Sequence, residues 1–321
     1  MSPSNHQTKS RPRINHVYRN AFMDSARWER WVPRDGDIMV CTPYKAGTTW
    51  TQMICALLVF QSPDLPQPLG ELSPWFELRV YEFEELLTRY AAQTHRRIIK
   101  THTPLDGLPY YDEVTYLYCG RDPRDIFISM QNHKANQDGR RLAELMIQQG
   151  ETIAPPDALP EDINERFQLW LTKGAFEWER DGYPFWSVFH HVDTFWQHRA
   201  LPNLHFLHYA DLKADLAGQM RNIAKVLGIE VDVAKWPALV NAATFSEMKR
   251  NADRVAPDTD LAIWRSNAQF FNRGTNGQWR DCLSPASLAL YDTVKHDRVT
   301  PEVAMWLEQG GLNAVSTSSA G

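Results

Sequence analysis

Apolar positions along this chain fall into two patterns, short runs that end abruptly in polar residues and longer stretches with helical spacing. The first short run, Asp37-Ile-Met-Val-Cys41, is bounded by Gly36 and Pro43 and suits a buried strand. Three more follow at Arg96–Pro104, Asp112–Gly120 and Asn203–Tyr209. Between them lie the helical patterns. Thr51–Phe60 is almost wholly apolar and free of Pro and Gly. Tyr81–Gln93, Ile163–Glu179, Ser187–Arg199, Ala210–Leu227 (stopped by Gly228), Leu239–Lys249, Pro285–Lys295 and Val303–Glu308 repeat the spacing with good helix formers or aromatics. Phe22–Val32 reads as a short amphipathic helix ending at Pro33. After Gly120 the apolar run IFISM is preceded by Asp122 as a helix cap, Pro123 at the first helical position and Asp125 at the third. Short strands alternating with helices predict an α/β fold, a mostly parallel central sheet flanked by helices on both faces.

The connecting segments have their own signatures. Ser62–Trp75 carries four prolines and reads as a loop. Asn136–Asp162 is polar and proline-rich around Ala154-Pro-Pro-Asp, without strong periodicity, and suits a mobile lid or acceptor loop. Phe270–Gln278 (FFNRGTNGQ) is a glycine-bearing loop with one arginine. Residues 1–17 and 312–321 read as mobile tails on a single domain spanning the 321 residues.

Composition narrows the function classes. A net charge of −5 argues against a protein that coats nucleic acid, so any anion site has to be a local basic pocket. Cys41, Cys55, Cys119 and Cys282 are far apart and lack metal-ligand spacing, as expected of thiols in a reducing compartment. The first residues lack a signal-peptide core and no apolar run approaches a membrane span, which predicts a soluble cytoplasmic protein.

Candidate chemistry gathers where the strands end, the place at which open α/β sheets bind ligands. Between the first strand and helix lies Thr42-Pro-Tyr-Lys-Ala-Gly-Thr-Thr-Trp50. Such a joint aims backbone N–H groups and the positive end of a helix at one point. Lys45 adds a charge, and Thr48 and Thr49 add hydroxyls. The pattern is not the triphosphate loop G-x-x-x-x-G-K-[ST], because Lys45 precedes Gly47 by two residues. An ordinary turn with a solvated lysine fits this segment equally well. Lys100 and His102, two apart at the end of the second strand, share a face. Histidine suits general-base work near neutral pH, and a neighbouring lysine would stabilise a departing oxygen anion. The plainer reading of His102 is a hydrogen-bonded structural histidine. Arg121 is either a pocket group facing Ser129 or a surface arginine beside a helix start. Arg273, near Gly274 and Gly277, is either a phosphate clamp or part of a turn.

Taken together these stretches resemble the cytosolic-type sulfotransferases, which move a sulfuryl group from 3′-phosphoadenosine 5′-phosphosulfate (PAPS) to an alcohol, phenol or amine. The similarity runs in order through Thr42–Trp50, Arg97–Leu105, Tyr118–Asp125 with Ser129, Phe245–Lys249 and Phe271–Arg280. It implies a P-loop-like fold with a phosphosulfate-binding loop. It also implies that Lys45, Gly47, Thr48, Thr49 and Trp50 hold the 5′-phosphosulfate and the adenine side. Arg121, Ser129, Arg273 and Gly274 would hold the 3′-phosphate, and Tyr209, Thr244 and Phe245 would line the nucleoside. His102 would be the base, with Lys45 and Lys100 on the bridging and leaving oxygens, and no metal is required.

Some positions depart from that pattern. Ala46 replaces a serine of the loop but keeps the backbone amide. Asn272 stands where an arginine usually precedes the Lys/Arg-Gly pair, and Gln278 where an aspartate precedes tryptophan. The segment after Arg280, with Pro285 in place of valine, lacks the family's short dimer motif, so that dimer is not expected. RRIIKTHTPLDGLP and GRDPRD are most similar to bacterial members known as glycolipid or aryl sulfotransferases. The implied acceptor is a phenol, alcohol, sterol or glycolipid hydroxyl, held by loops 62–95 and 136–185. Trp75, Phe76, Tyr81, Phe83, Trp170, Phe176 and Trp178 are the candidate apolar lining, each also suited to plain core. The competing functions are a P-loop small-molecule kinase, which the lysine position and the lack of an acidic strand end disfavour, and a non-catalytic nucleotide-binding protein.

Overall fold

The computed structural model describes residues 11–151 and 159–311. Four strands form one parallel sheet in the order β2-β1-β3-β4. They are β1 (Ile38–Cys41), β2 (Ile98–Thr101), β3 (Thr115–Gly120) and β4 (Leu204–His208). The helices are α1 (Thr48–Phe60), α2 (Leu69–Leu72), α3 (Phe83–Ala92), α4 (Pro123–Asn136), α5 (Gly139–Gln148), α6 (Ile163–Thr172) and α7 (Val188–Trp196). After β4 come α8 (Tyr209–Ala214), α9 (Leu216–Val226), α10 (Trp236–Ala242), α11 (Phe245–Arg250), α12 (Ala252–Val255), α13 (Asn267–Phe270), α14 (Pro285–Arg298) and α15 (Pro301–Gln309).

Strand alternation divides the core in two. Ile38, Val40, Ile98, Leu117 and Cys119 turn to the face covered by α1, α9 and α10. Met39, Cys41, Ile99, Tyr116 and Tyr118 turn to the other face, packed with the aromatics of α6, α7, α14 and α15. With both faces covered, the strands contain few polar residues until their carboxyl ends. The parallel register sets those ends together, Cys41 beside Thr101 and Tyr118, and Gly120 beside His208. That shared edge is where the polar loops converge.

All four predicted strands are present, and several helix boundaries move. Residues 25–30 form a 3₁₀ helix rather than the α-helix expected over Phe22–Val32, capped by Asp24 on Ala26 N. The predicted loop Ser62–Trp75 holds one helical turn, α2. The first part of the region predicted to be an aperiodic lid holds the amphipathic helix α5, where Leu142, Leu145 and Met146 are buried and Asp138 caps the first turn. The polar residues of GRRLAELMIQ had masked its three-to-four spacing. Ala154-Pro-Pro-Asp lies outside the described residues. α6 stops at Thr172 instead of Glu179, as Lys173 is extended and Gly174 pairs across to Gly182. The single helix expected over Ala210–Leu227 breaks at Asp215, which caps α9 through Gly218 N. That over Leu239–Lys249 breaks at Thr244, which caps α11. In the last two cases a short polar side chain captures a backbone N–H group and restarts the helix.

The predicted amino-terminal tail is partly docked. Asn15 N and His16 N both donate to the Asp106 carbonyl, and the His16 ring stacks on Trp178 at 4.2 Å. Residues 1–10 and 312–321 lie outside the described residues.

Candidate active site

The loop after β1 turns sharply before α1. Lys45 has φ +60° and Gly47, the cap of α1, has φ +103°, both left-handed. Only at Gly47 is glycine demanded, because a Cβ there would also lie 3.1 Å from the Tyr209 ring. Gly47 brings no capping side chain, so the first N–H groups of this 13-residue helix stay open to an incoming anion. Thr48 Oγ1 and Thr42 Oγ1 are 2.6 Å apart. Trp50 donates from Nε1 to the Ala243 carbonyl at 2.8 Å and meets Tyr209 edge-on. The other strand-to-helix joint differs. Asp122 accepts from Arg124 N at the start of α4, and Asp125 lies in its first turn, so acids already complement that helix end.

Three basic side chains face the open loop. Lys45 Nζ donates to His133 Nδ1 at 3.2 Å and sits 4.4 Å from the Phe270 ring centre. Burial, with Arg121 and Lys100 nearby, pulls its pKa down to about 7. Lys100 Nζ lies 3.7 Å from Asp258 Oδ2. His102 Nδ1 is 2.9 Å from the Thr42 carbonyl oxygen, which can only accept. Nδ1 therefore carries the proton, and Nε2 keeps its lone pair. Burial first, and then Lys100 and Lys45, push the pKa of His102 down to about 3, so the ring is neutral at physiological pH. Trp75 and Trp186 flank it, with ring centres 4.9 and 6.0 Å away.

Arg121 ties two loops together. It donates from Nη1 to the Lys45 carbonyl at 3.0 Å and from Nη2 to the Thr275 carbonyl at 3.2 Å, and it lies over the Tyr209 ring at 4.2 Å. Its buried Nε has no partner among the described residues. The glycine loop is held from below by Asp125, which accepts from Gly277 N at 2.8 Å and Gln278 N at 3.0 Å. Gly274, at φ +62°, leaves room for Phe245, whose ring would lie 2.5 Å from an added Cβ. Lys213 donates to the Gly274 carbonyl and Lys249 to the Asn272 carbonyl.

All but one of the site residues expected from the sequence line a single cavity of about 650 Å³: Lys45, Gly47, Thr48, Thr49, Trp50, Lys100, His102, Arg121, Ser129, Tyr209, Thr244, Phe245, Asn272, Arg273 and Gly274. Ala46 is buried beneath the loop, where its carbonyl accepts from Cys119 Sγ at 3.2 Å.

The apolar half of the cavity is not the one predicted. Of the seven aromatics proposed from loops 62–95 and 136–185, only Trp75 lines it. Phe76 packs on Trp28 and Trp31, Phe83 on Phe76 under Arg27, and Trp170 donates to Tyr44 Oη at 2.7 Å. Tyr81 bonds to Asp258, and Phe176 and Trp178 stack together against Tyr18. Phe22, Phe185, Trp186, Ile263, Trp264 and Phe270 form the lining instead. His133 was also missed. It lies four residues after Ser129 on α4, a spacing that puts both on one helix face.

A parallel α/β sheet whose first strand-to-helix loop leaves helix N–H groups open beside two lysines and a histidine fits a group-transfer enzyme. The chain belongs to the sulfotransferase family, whose sulfotransferase domain matches residues 35–301. Sulfuryl transfer to a hydroxyl acceptor is the activity of this class. The chain is 38% identical over 308 residues to a glycolipid sulfotransferase of Mycobacterium bovis, covering 92% of this chain and 94% of that protein. A glycolipid sulfotransferase of Mycobacterium tuberculosis is likewise 38% identical, over 307 residues, with the same coverage. A mouse sulfotransferase complexed with PAP shares the fold with a TM-score of 0.68 at 21% identity, over 91% of this chain and 97% of that one. Retinol dehydratase in complex with androsterone and the inactive cofactor PAP gives 0.65 at 21% identity, over 86% and 84%.

Proposed function

We propose that this enzyme draws the sulfuryl group from PAPS and places it on a hydroxyl of a glycolipid-like acceptor, with His102 as the general base. The observation that carries the reading is the 2.9 Å contact of His102 Nδ1 with the Thr42 carbonyl, which leaves Nε2 unprotonated in the same cavity as Lys45 and Lys100. The donor set also fits PAPS. The open first turn of α1, Thr48, Thr49 and Lys45 suit the 5′-phosphosulfate, while Arg121 (its Nε unpartnered), Ser129 and Arg273 suit the 3′-phosphate. Bound PAPS supplies an activated sulfur attached to a phosphate oxygen.

The chain's own groups do the rest. His102 Nε2 takes the hydroxyl proton as the acceptor oxygen bonds to sulfur. Lys45 and Lys100 stabilise the negative charge that grows on the phosphate oxygen as its bond to sulfur breaks. Catalysis is then positioning plus cations aimed at developing charge. The amides of Asn132, Gln137 and Gln269 suit sugar hydroxyls, and the tryptophans of the wall suit the apolar part of an acceptor. Buried free thiols at Cys41, Cys55 and Cys119 support a reducing, cytoplasmic setting. No helix among the described residues is long and apolar enough to cross a membrane.

His102→Ala should abolish transfer from labelled PAPS to phenols, sterols and glycolipids while adenosine 3′,5′-bisphosphate (PAP) still binds without magnesium. Persistent turnover would overturn the base assignment. Magnesium-dependent binding of ATP in place of PAP would favour a kinase.

A further inference from the structure

Lys45 and Lys100 share one cavity, yet their surroundings differ. Among the described residues no carboxylate pairs with Lys45, which bonds to His133 and faces the Phe270 ring. Lys100 has Asp258, with Nζ 3.7 Å from Oδ2 and both side chains 6% exposed. A buried ion pair stays in place only when its other hydrogen-bonding capacity is met. Here Tyr81 Oη lies 3.0 Å from the second carboxylate oxygen of Asp258. Burial and the neighbouring acids Asp258 and Asp260 raise the pKa of Tyr81, so it remains a donor.

The backbone around Asp258 is fixed from two sides. Gly70 in α2 has no side chain, and a Cβ there would approach Asp258 N to 3.0 Å. Trp264 donates to the Pro257 carbonyl at 2.6 Å. Asp258 itself is left-handed, with φ +55°. Glycine or asparagine would fit that conformation as well, so the backbone does not explain a carboxylate there. Lys100 does.

We propose that Asp258 is a positioning residue for sulfuryl transfer, holding the Lys100 ammonium in place beside His102. The proposal rests on the assignment of Lys100 to the departing oxygen. Around Lys100 the other titratable groups are Lys45, His102 and His133, and each has its pKa lowered partly by the Lys100 charge. Asp258 is the anion that offsets this cluster. Behind it, Tyr81 Oη is 3.2 Å from Asp260, which pairs with Arg89 of α3 at 3.7 Å.

The test compares Asp258→Asn, Asp258→Glu and Lys100→Ala for turnover, PAP affinity and Tm. Asp258→Asn should lower kcat about tenfold or more, as misplacement of a catalytic group does. It should keep PAP affinity within about twofold. Asp258→Glu should restore part of the rate. An unchanged kcat in Asp258→Asn, while Lys100→Ala is inactive, overturns the proposal alone. So does a loss of kcat matched by losses of PAP affinity and Tm that Asp258→Glu does not rescue, the mark of a merely structural carboxylate. Full turnover in Lys100→Ala overturns the assignment of Lys100 and the proposal with it.

Discussion

PAP binding should draw up to one proton onto Lys45, depending on pH. In the free protein burial and two neighbouring cations hold its pKa down to about 7. A phosphate at the open end of α1 reverses that environment, since an anion within contact favours the charged ammonium. Lys45 is therefore about half charged before binding at pH 7 and about one-tenth charged at pH 8, but charged in the complex. Binding takes up about 0.5 proton at pH 7 and about 0.9 at pH 8. Affinity should fall about tenfold per pH unit above 7, or about 1.4 kcal/mol, until the pKa of the complex is reached. Below pH 6 this contribution vanishes, because Lys45 is charged in both states. Phosphate groups, with a second pKa of about 6, release protons on binding where they are still partly protonated, the opposite sign, and are nearly all ionised above about pH 7. Isothermal titration calorimetry in buffers of different ionisation enthalpy, from pH 6 to 9, measures it directly. Lys45→Met should bind PAP more weakly and lose the proton uptake. Affinity independent of pH above 7, or equal uptake in Lys45→Met, would refute the account of the Lys45 environment.

Gly47→Ala should lower the stability of the fold by roughly 1–2 kcal/mol, since alanine is strained in the left-handed region and its Cβ would crowd the Tyr209 ring; a thermal melt reads it, and an unchanged Tm would refute the strain. Arg273→Ala should weaken PAP much more than adenosine 5′-monophosphate, because only PAP carries the 3′-phosphate assigned to it; equal losses for both ligands would remove Arg273 from that role.

The half of the cavity to which we assign the donor could be gathered from the sequence because its parts are local. A strand ending in a lysine–glycine–hydroxyl loop, or a His two residues after a Lys, needs only a few neighbours to announce itself, and the sheet then carries each loop to the same edge. The acceptor half was not legible, and the aromatics show why. Trp75 and Phe76 are adjacent and chemically alike, yet Trp75 stands beside His102 while Phe76 packs on Trp28. Which of the two faces the cavity is set by tertiary packing. His133, Trp264 and Phe270 come from separate elements and carry no shared motif, though their rings lie within 6 Å of one another.

That asymmetry is what the proposed assignment of the two halves would produce. The donor site must meet fixed charges, so it uses backbone N–H groups, glycines at φ +103° and +62°, and cations whose residue types are hard to replace. The acceptor wall must mainly exclude water and match a shape, which many apolar combinations achieve. Where it carries polarity, as at Asn132, Gln137 and Gln269, the groups are neutral amides suited to hydroxyls. Asp258 joins the halves. Its carboxylate lines the acceptor wall, yet its partner is Lys100 at the end of β2, so a change in the acceptor loops around it would reach the reacting centre through one ion pair.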